Sequence, residues 1–192
     1  MITMIPWYFN WWLRCKIRLY RFAWSKTVAV SGRPDCKQPL LIRGEGRVQF
    51  AAGVRVGSKT YQGYLNTYAN LTVRGEESLI RIGEDVSLNN NVSLTADQAS
   101  IYIGKGTVTG INLSVHTSDR YNTDPGLRHM NQRPTHTVII GENVFLGDNV
   151  LVLKGVTIGN NAVIGAGSVV THSIPENVLA AGNPCTVIRT LT

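Results

Sequence analysis

Cysteine is scarce in this sequence of 192 residues, and its three cysteines are scattered without a CxxC pair. An odd and dispersed set disfavours a disulfide framework and suits a reducing cytosol. The N-terminus has no apolar stretch followed by a small-residue cleavage site, so no signal peptide is expected. No window reaches 18 uncharged apolar residues, which argues against a transmembrane helix. These absences together predict a cytoplasmic protein.

Acidic residues are almost missing from the first quarter of the chain. Up to Arg47 there are nine Lys and Arg residues against two acidic residues, and the remainder has ten of each sign. The whole net charge of +7 therefore lies in this quarter. The basic residues are few, and no nucleic-acid motif accompanies them, so no nucleic acid is expected as a partner.

Residues 6–24 hold all four tryptophans and no acidic residue. As a helix, they would place Leu13, Ile17, Tyr20 and Trp24 on one stripe, beside a basic stripe of Arg14, Arg18 and Arg21. One interpretation is an interfacial helix that makes peripheral contact with anionic lipid at the inner membrane face. The other is a cap that packs on the end of a repeat domain or on a neighbouring subunit.

Helical and strand periods are also missing from residues 140–175, which repeat every six residues instead. An aliphatic residue occupies the first place of six consecutive hexads, and glycine often follows it. This period fits a short strand and a corner, repeated, so that stacked units build one core. The pattern predicts an all-β fold, a parallel β-helix. The first places are Ile140, Leu146, Val152, Ile158, Ile164 and Val170.

The same period is weaker in the preceding part of the chain. It starts near Ile42, blurs over 59–70 as a longer coil or a loop, and returns from Ile82 to Val115. Residues 116–136 have no apolar period and form a long insertion, of a kind that is usually functional. We therefore predict an N-terminal segment at 1–40 and a β-helix domain at 41–192, whose tail at 177–192 leaves the repeat.

His116 stands where the repeat breaks and the insertion begins. A lone histidine at a loop edge is most often a solvated surface residue, but this position favours a catalytic base. Acyl transfer from a thioester to an alcohol needs a base for the hydroxyl proton and a donor for the oxyanion. Neutral imidazole suits the first task at pH 7. No covalent intermediate is needed, so the missing GxSxG motif is no obstacle.

The repeats and three further motifs resemble the hexapeptide-repeat acyltransferases. The motifs are LSVH followed by a loop, IGAGSVVT and AGNPCxVIR, and over residues 78–190 they are similar to the galactoside, maltose and nodulation-factor O-acetyltransferases. The resemblance implies a left-handed β-helix with triangular coils of three hexads. It also implies an acetyl-CoA-dependent sugar O-acetyltransferase without a metal, which acts through a ternary complex. Members of this family form homotrimers with the active site between neighbouring β-helices.

The resemblance also assigns site residues. It implies that His116 is the general base and that Asn89 and Asp97 hold the acceptor sugar. The pantetheine arm of acetyl-CoA is expected along the final coils, and Arg189 is expected to meet the nucleotide phosphates as a fixed cation. The positions that match the family's cofactor site are Phe145, Gly147, Ala166, Thr171 and Arg189.

Departures from the family pattern bear on the cofactor and on the acceptor. Phe145 stands where the family often has Trp, His172 replaces a frequent Lys, and Thr186 replaces an Arg, so fewer contacts to the cofactor phosphates are expected. The N-terminal helical cap of the sugar acetyltransferases, which contributes acceptor contacts, is not recognisable in residues 1–47, which argues against free galactosides or maltose as substrates. Because the basic aromatic segment fits the inner membrane face, a polymeric or lipid-linked glycan of capsule, exopolysaccharide or O-antigen biosynthesis is the expected acceptor.

Three other functions remain open from the sequence. The same machinery could N-acetylate an amino sugar nucleotide. A γ-type carbonic anhydrase shares the fold but needs three histidines around zinc, and no H-x4-H pair occurs among His116, His129, His136 and His172. A non-catalytic scaffold would not need His116 and Asn89.

Overall fold

A computed structural model describes residues 7–22, 27–119, 121–122, 124–127 and 134–192. The described residues begin with a helix, α1 (Trp7–Phe22), and continue as strands numbered β1 to β20 in chain order. A short 3-10 turn, Pro125–Leu127, lies in the insertion. Within the described residues, no helix is long and apolar enough to cross a membrane.

The strands form three sheets that are the three faces of a prism, and each coil of the chain contributes one strand to each face. All neighbours pair in parallel except the last two strands, β19 and β20, which form an antiparallel hairpin. Sheet A contains β1 (Ala29–Ser31), β4 (Arg47–Phe50), β7 (Leu79–Ile82), β10 (Ile101–Ile103), β13 (Val138–Ile140) and β16 (Thr157–Ile158). Sheet B contains β2 (Asp35–Cys36), β5 (Arg55–Val56), β8 (Ser87–Leu88), β11 (Val108–Thr109), β14 (Phe145–Leu146), β17 (Val163–Ile164), β19 (Val178–Gly182) and β20 (Cys185–Thr190). Sheet C contains β3 (Leu40–Gly44), β6 (Ala69–Arg74), β9 (Ser93–Asp97), β12 (Ser114–His116), β15 (Leu151–Val152) and β18 (Val169–Val170).

The predicted hexad positions form the core. Every first-place residue from Ile140 to Val170 is at most 1% exposed, because each lies inside the prism against the same place of the next coil. The fifth-place residues fill the corners of this core, and even the polar Ser168 is fully buried there. Its hydroxyl donates to the Gly165 carbonyl at 2.6 Å, so the polar group is satisfied.

The corners explain which small residues the repeat needs. The second-place glycine is required by close approach: a Cβ on Gly159 would lie 2.4 Å from the backbone nitrogen of Glu176 in the next coil. The fourth place has the left-handed backbone that asparagine and glycine tolerate best, as at Asn161 (φ 58°). Asparagines stacked at this place bond to one another, Asn143 to Asn161 at 2.9 Å and Asn161 to Asn177 at 2.8 Å. The hexad pattern alone does not predict these asparagine ladders.

The strands of the β-helix extend past two of the predicted boundaries. The first coil begins with β1 at Ala29, before the predicted domain start at 41. The sequence did not reveal this coil because a polar residue takes a core position in it. Gln38 is fully buried, and its Oε1 accepts the Asn91 backbone N–H at 3.2 Å. At the other end, the tail 177–192 does not leave the repeat at once, since β19 still pairs in parallel with β17. The antiparallel return of β20 then ends sheet B.

Helix α1 packs on the first coil, where it contacts β3. Of the predicted apolar stripe, Leu13 is 3% exposed, Ile17 and Tyr20 are half-buried, and Trp24 lies outside the described residues. The Tyr20 ring lies 5.5 Å from that of Tyr68 in the loop between β5 and β6. This packing is what the cap interpretation expects of the inner face.

The outer face of α1 has a different character. Tyr8, Trp11, Trp12 and Leu19 are exposed, with Trp11 at 64% and Leu19 at 68%. The Lys16 ammonium lies 5.1 Å from the Trp12 ring centre. Arg14 and Arg18 are exposed as predicted, whereas the side chain of Arg21 lies outside the described residues. One face of α1 therefore packs on the β-helix and the opposite face is aromatic and exposed.

Candidate active site at the edges of sheet C

His116 is the last residue of β12, where the chain leaves sheet C and the insertion begins. It is half-buried and pairs in register with Thr95 of β9. The registers of β12, β15 and β18 continue the same row through Leu153 and Thr171 in the next two coils. We call this corner between sheets C and A, with Asp97, His116 and Thr171, the His116 edge.

His116 lines a cleft of ≈ 310 Å³ with both apolar and charged walls. The insertion contributes Ser118 and Asp119, and Asp119 forms an ion pair with Lys154 of the following coil. This ion pair ties the start of the insertion to the β-helix beside the histidine. The other residues that line the cleft are Arg74, Thr95, Leu151 and Leu153.

Asp97 lies at the same edge as His116, at the end of β9. It is 7% exposed, and its carboxylate accepts the Ser118 hydroxyl at 3.0 Å and faces the Arg74 guanidinium at 3.7 Å. The backbone nitrogen of Asp97 donates to Thr117 Oγ1 at 2.8 Å. A buried carboxylate needs such partners, and they fix its position next to the cleft of His116.

Asn89 does not lie in the cleft of His116. It follows β8 at the corner between sheets B and C, and its Oδ1 accepts the Asn90 backbone N–H at 2.9 Å. Its own backbone N–H donates to Thr109 Oγ1 at 3.1 Å. The side chain lines a second cleft, of ≈ 360 Å³, on the outer side of sheet B. The two predicted acceptor residues, Asn89 and Asp97, are therefore at opposite edges of sheet C.

The predicted cofactor residues divide in the same way. Gly147 and Ala166 stack at the corner that also holds Asn89, and a Cβ on Gly147 would lie 2.6 Å from the Ala166 nitrogen. We call this corner between sheets B and C the Asn89 edge. Thr171 lies on the His116 edge, where its hydroxyl is 2.8 Å from His172 Nδ1.

Phe145 and Arg189 lie on the outer face of sheet B, and both are exposed. A continuous row connects them, because Phe145 pairs with Val163, Val163 with Leu179, and Leu179 with Arg189. The row offers an aromatic ring at one end and a fixed cation at the other. It runs beside the stacked corner of Gly147 and Ala166, which follow β14 and β17.

The residues that sequence reasoning missed come from neighbouring coils and from the insertion. Thr95 and Leu153 occupy the same hexad place as His116, so stacking the hexads would have found them. Arg74 pairs in register with Asp97 and is found in the same way. Asp119 and Lys154 have no such signal, because their ion pair joins the insertion to a coil that lies 35 positions later.

The described residues contain no group of three or more His, Cys, Asp or Glu side chains placed to hold a metal ion. His136 is exposed beside the start of β13, and His129 lies outside the described residues. An imidazole side chain is suited to proton transfer near neutral pH, and His116 brings one to the cleft at the His116 edge.

Comparison with known proteins gives the family. Residues 137–172 match the family described as "Bacterial transferase hexapeptide (six repeats)". The chain is 42% identical over 110 residues to a galactoside O-acetyltransferase of Lactococcus lactis. The match covers 57% of this chain and 52% of that protein. The chain thus spans about half the length of the first curated relatives that it matches.

A longer match is the putative lipopolysaccharide biosynthesis O-acetyl transferase WbbJ of Escherichia coli K12. It is 31% identical over an alignment of 162 positions, and the match covers 79% of this chain and 76% of that protein. The fold matches the solved structure of a galactoside acetyltransferase in complex with coenzyme A, with a TM-score of 0.53 and 26% identity. That match covers 91% of this chain and 69% of the other. The predicted left-handed parallel β-helix is confirmed, and the chain belongs to the hexapeptide-repeat acetyltransferase family.

Proposed function

We propose that this protein transfers an acetyl group from acetyl-CoA to a hydroxyl of a sugar acceptor, with His116 as general base. The imidazole takes the hydroxyl proton while the acceptor oxygen attacks the thioester carbonyl. The tetrahedral intermediate then collapses, the C–S bond breaks, and the proton held by His116 passes to the departing thiolate. Both substrates are bound together, so no acetyl-enzyme forms.

The position of His116 is the observation that carries this proposal. His116 ends a strand and lines a cleft with apolar and charged walls, and the row of Leu153 and Thr171 leads from it along the coils toward the C-terminus. A thioester carried on an extended arm along such a row would reach the histidine side chain. We assign to Asp97 the role of accepting a hydrogen bond from a sugar hydroxyl, and its contacts with Ser118 and Arg74 beside the cleft support this role.

Acetyl-CoA is proposed to bind along the final coils. Gly147 and Ala166 present backbone with little side-chain bulk, Phe145 offers an exposed apolar ring, and Arg189 offers a cation for a phosphate. Thr171 lies on the His116 edge, at the other side of sheet C. The galactoside acetyltransferase with a similar fold was solved with coenzyme A, which supports this choice of cofactor.

The division of candidates between two edges supports a homotrimer. Asn89, Gly147 and Ala166 lie on one edge of sheet C, and Asp97, His116 and Thr171 lie on the other. A single protomer therefore cannot gather them around one acceptor. A cyclic assembly that sets the Asn89 edge of one protomer against the His116 edge of the next brings both sets together at each interface.

The proposed acceptor is a glycan of capsule, exopolysaccharide or O-antigen biosynthesis. WbbJ is named for lipopolysaccharide biosynthesis, and the likeness to it includes most of this chain. The exposed aromatic face of α1, flanked by Arg14, Lys16 and Arg18, fits a peripheral contact with anionic lipid, where lipid-linked glycans are assembled.

The test is release of coenzyme A thiol from acetyl-CoA in the presence of a panel of acceptors, polymeric and monomeric, neutral and charged. Mass spectrometry of the product should show one added acetyl group that mild base removes, as expected of an O-acetyl ester. An acetyl group that resists mild base would indicate transfer to nitrogen. Failure to consume acetyl-CoA with every glycan would contradict the proposal.

A further inference from the structure

The second cleft, beside Asn89, has a strongly basic lining. Lys37, Arg55 and Lys59 surround it together with Asn89, and we call these four residues the basic cleft. Within the described residues, no acidic side chain lines this cleft. Lys37 forms an ion pair with Asp35 at 2.9 Å. Arg55 and Lys59 form no ion pair with any described residue, so the cleft favours an anion.

One wall of the cleft is the loop between β5 and β6, and Asn90 holds it in place. Asn90 is fully buried, and its Nδ2 lies 2.9, 3.1 and 2.9 Å from the carbonyls of Ser58, Tyr61 and Gln62. Its Oδ1 accepts the Ser58 backbone N–H at 2.8 Å. Four contacts from one buried amide fix the loop to the corner that carries Asn89. Lys59, which lines the cleft together with Asn89, therefore belongs to a loop that a buried side chain holds in place.

Arg55 is oriented from the opposite wall. It lies on the outer face of β5, and its Nε donates to Ser87 Oγ on the neighbouring strand at 2.9 Å. No described residue binds the two terminal nitrogens of its guanidinium. A guanidinium fixed through Nε presents these two nitrogens as a planar pair, which matches the two oxygens of a carboxylate or a phosphate.

We propose that the basic cleft binds an oxyanion, a carboxylate or a phosphate, that the sugar acceptor carries. This inference rests on the proposed function, in which Asn89 holds the acceptor. Asn89 contributes its amide Nδ2, which no described residue occupies, to the same ligand. The acceptor is thereby a charged glycan, with the oxyanion either on an acidic sugar or on a phosphate that links the sugar to its carrier.

The basic cleft adjoins the proposed cofactor site but is formed by earlier coils. Its lining comes from β2, β5, β8 and β11, and Val108 of β11 pairs with Phe145, whereas Gly147, Ala166 and Arg189 belong to later coils. Its basic surface continues toward α1, because Arg14 lies with Lys37 and Lys59 around an adjoining pocket. Burial raises the pKa of the Tyr64 hydroxyl in this pocket, and the nearby Arg14 charge opposes that rise.

Calorimetric binding to the full-length protein tests the proposal. The probes are a uronic-acid oligosaccharide, the same oligosaccharide with its carboxylates reduced to alcohols, and a nucleotide-diphosphate sugar. We expect the wild type to bind one charged probe at least about tenfold more tightly than the reduced one, since the basic cleft makes charge-assisted hydrogen bonds. The charged probe that binds identifies the source of the oxyanion.

The double variant Arg55→Gln with Lys59→Gln should lose this preference and should keep its KM for acetyl-CoA. The matched control is Arg81→Gln, because Arg81 lies on sheet A and donates from Nε to Gln49 at 3.0 Å, as Arg55 does to Ser87. Equal binding of charged and reduced oligosaccharides by the wild type overturns the proposal, as does a double variant whose only defect is a raised KM for acetyl-CoA. Loss of acetyl transfer with the binding preference retained would instead count against the proposed reaction.

Discussion

Asn89 and His116 lie at opposite edges of one sheet: Asn89 precedes β9, and His116 ends the neighbouring β12. If both serve one acceptor, they must come from different protomers. Mixed trimers test this directly. His116→Ala and Asn89→Ala should each be nearly inactive alone, whereas trimers co-assembled from both should recover up to about one quarter of wild-type activity. That fraction follows because a random mixture leaves about one interface in four with both residues intact.

The measurement is coenzyme A release after the two tagged variants are co-expressed and isolated together. Equal amounts of the separately assembled variants, mixed without exchange, are the control and should stay inactive. A mixed assembly with no recovered activity would place the whole site within one protomer.

His116 should dominate the chemical step. His116→Ala should lower kcat by roughly 10²–10⁴, because a positioned base contributes about that factor to proton transfer. Its melting temperature and circular dichroism should stay close to those of the wild type, since the residue ends a strand at the surface. His136→Ala is the control, because His136 is exposed at the other end of the insertion. A His116→Ala enzyme with near-normal turnover would refute the assignment.

The aromatic outer face of α1 should bind anionic membranes. In flotation assays at low salt, the wild type should rise with vesicles of phosphatidylglycerol and phosphatidylcholine, and high salt should weaken the binding. Trp11→Ala with Leu19→Ala should reduce it, because these exposed side chains would be the ones inserted.

Tyr121→Ala removes an equally exposed aromatic side chain in the insertion and should have no effect on flotation. If the wild type remains at the bottom of the gradient at low salt, α1 only caps the β-helix and its outer face does not bind membranes.

The corner glycines should be intolerant of even one methyl group. Gly159→Ala places a Cβ 2.4 Å from the Glu176 nitrogen, which belongs to backbone and cannot rotate away. We expect a loss of roughly 1–3 kcal/mol in the free energy of unfolding, measured by urea denaturation. Gly126→Ala is the matched control, since its nearest contact is an ordinary 3.5 Å to Asp124 Oδ1. Equal stability of the two variants would show that the coils can move apart.

The hexads predicted the core because stacked coils repeat the same place along the prism. Once Ile140 points inward, so must Ile158, and the rule extends to Ile82 and Val115. The same translation puts Thr95 beside His116, since both follow a buried residue at equivalent places. This part of the fold and of the candidate site could therefore be predicted from the sequence.

Polar residues used as core or as supports were not accessible. Gln38 and Asn90 are fully buried, yet their residue types predict exposure, and this hid the first coil and the fixed wall of the basic cleft. The ion pair between Asp119 and Lys154 depends on the path of the insertion, which has no period. The division of Asn89 and His116 between two edges depends on where each corner falls, and hexad counting alone does not reveal it.

The strand spacing of sheet C fixes the distance between His116 and Thr171. Adjacent strands of a sheet are held at about 4.8 Å by their backbone hydrogen bonds, so positions along an edge are separated only by whole multiples of that spacing. Because β12, β15 and β18 are successive neighbours in the sheet, His116 and Thr171 lie two strand spacings apart, roughly 10 Å. Coils added before β9 would leave this reach unchanged. A coil inserted between β12 and β18 would increase the distance from His116 to Thr171 by one strand spacing, and a donor arm of fixed length would then not reach the histidine.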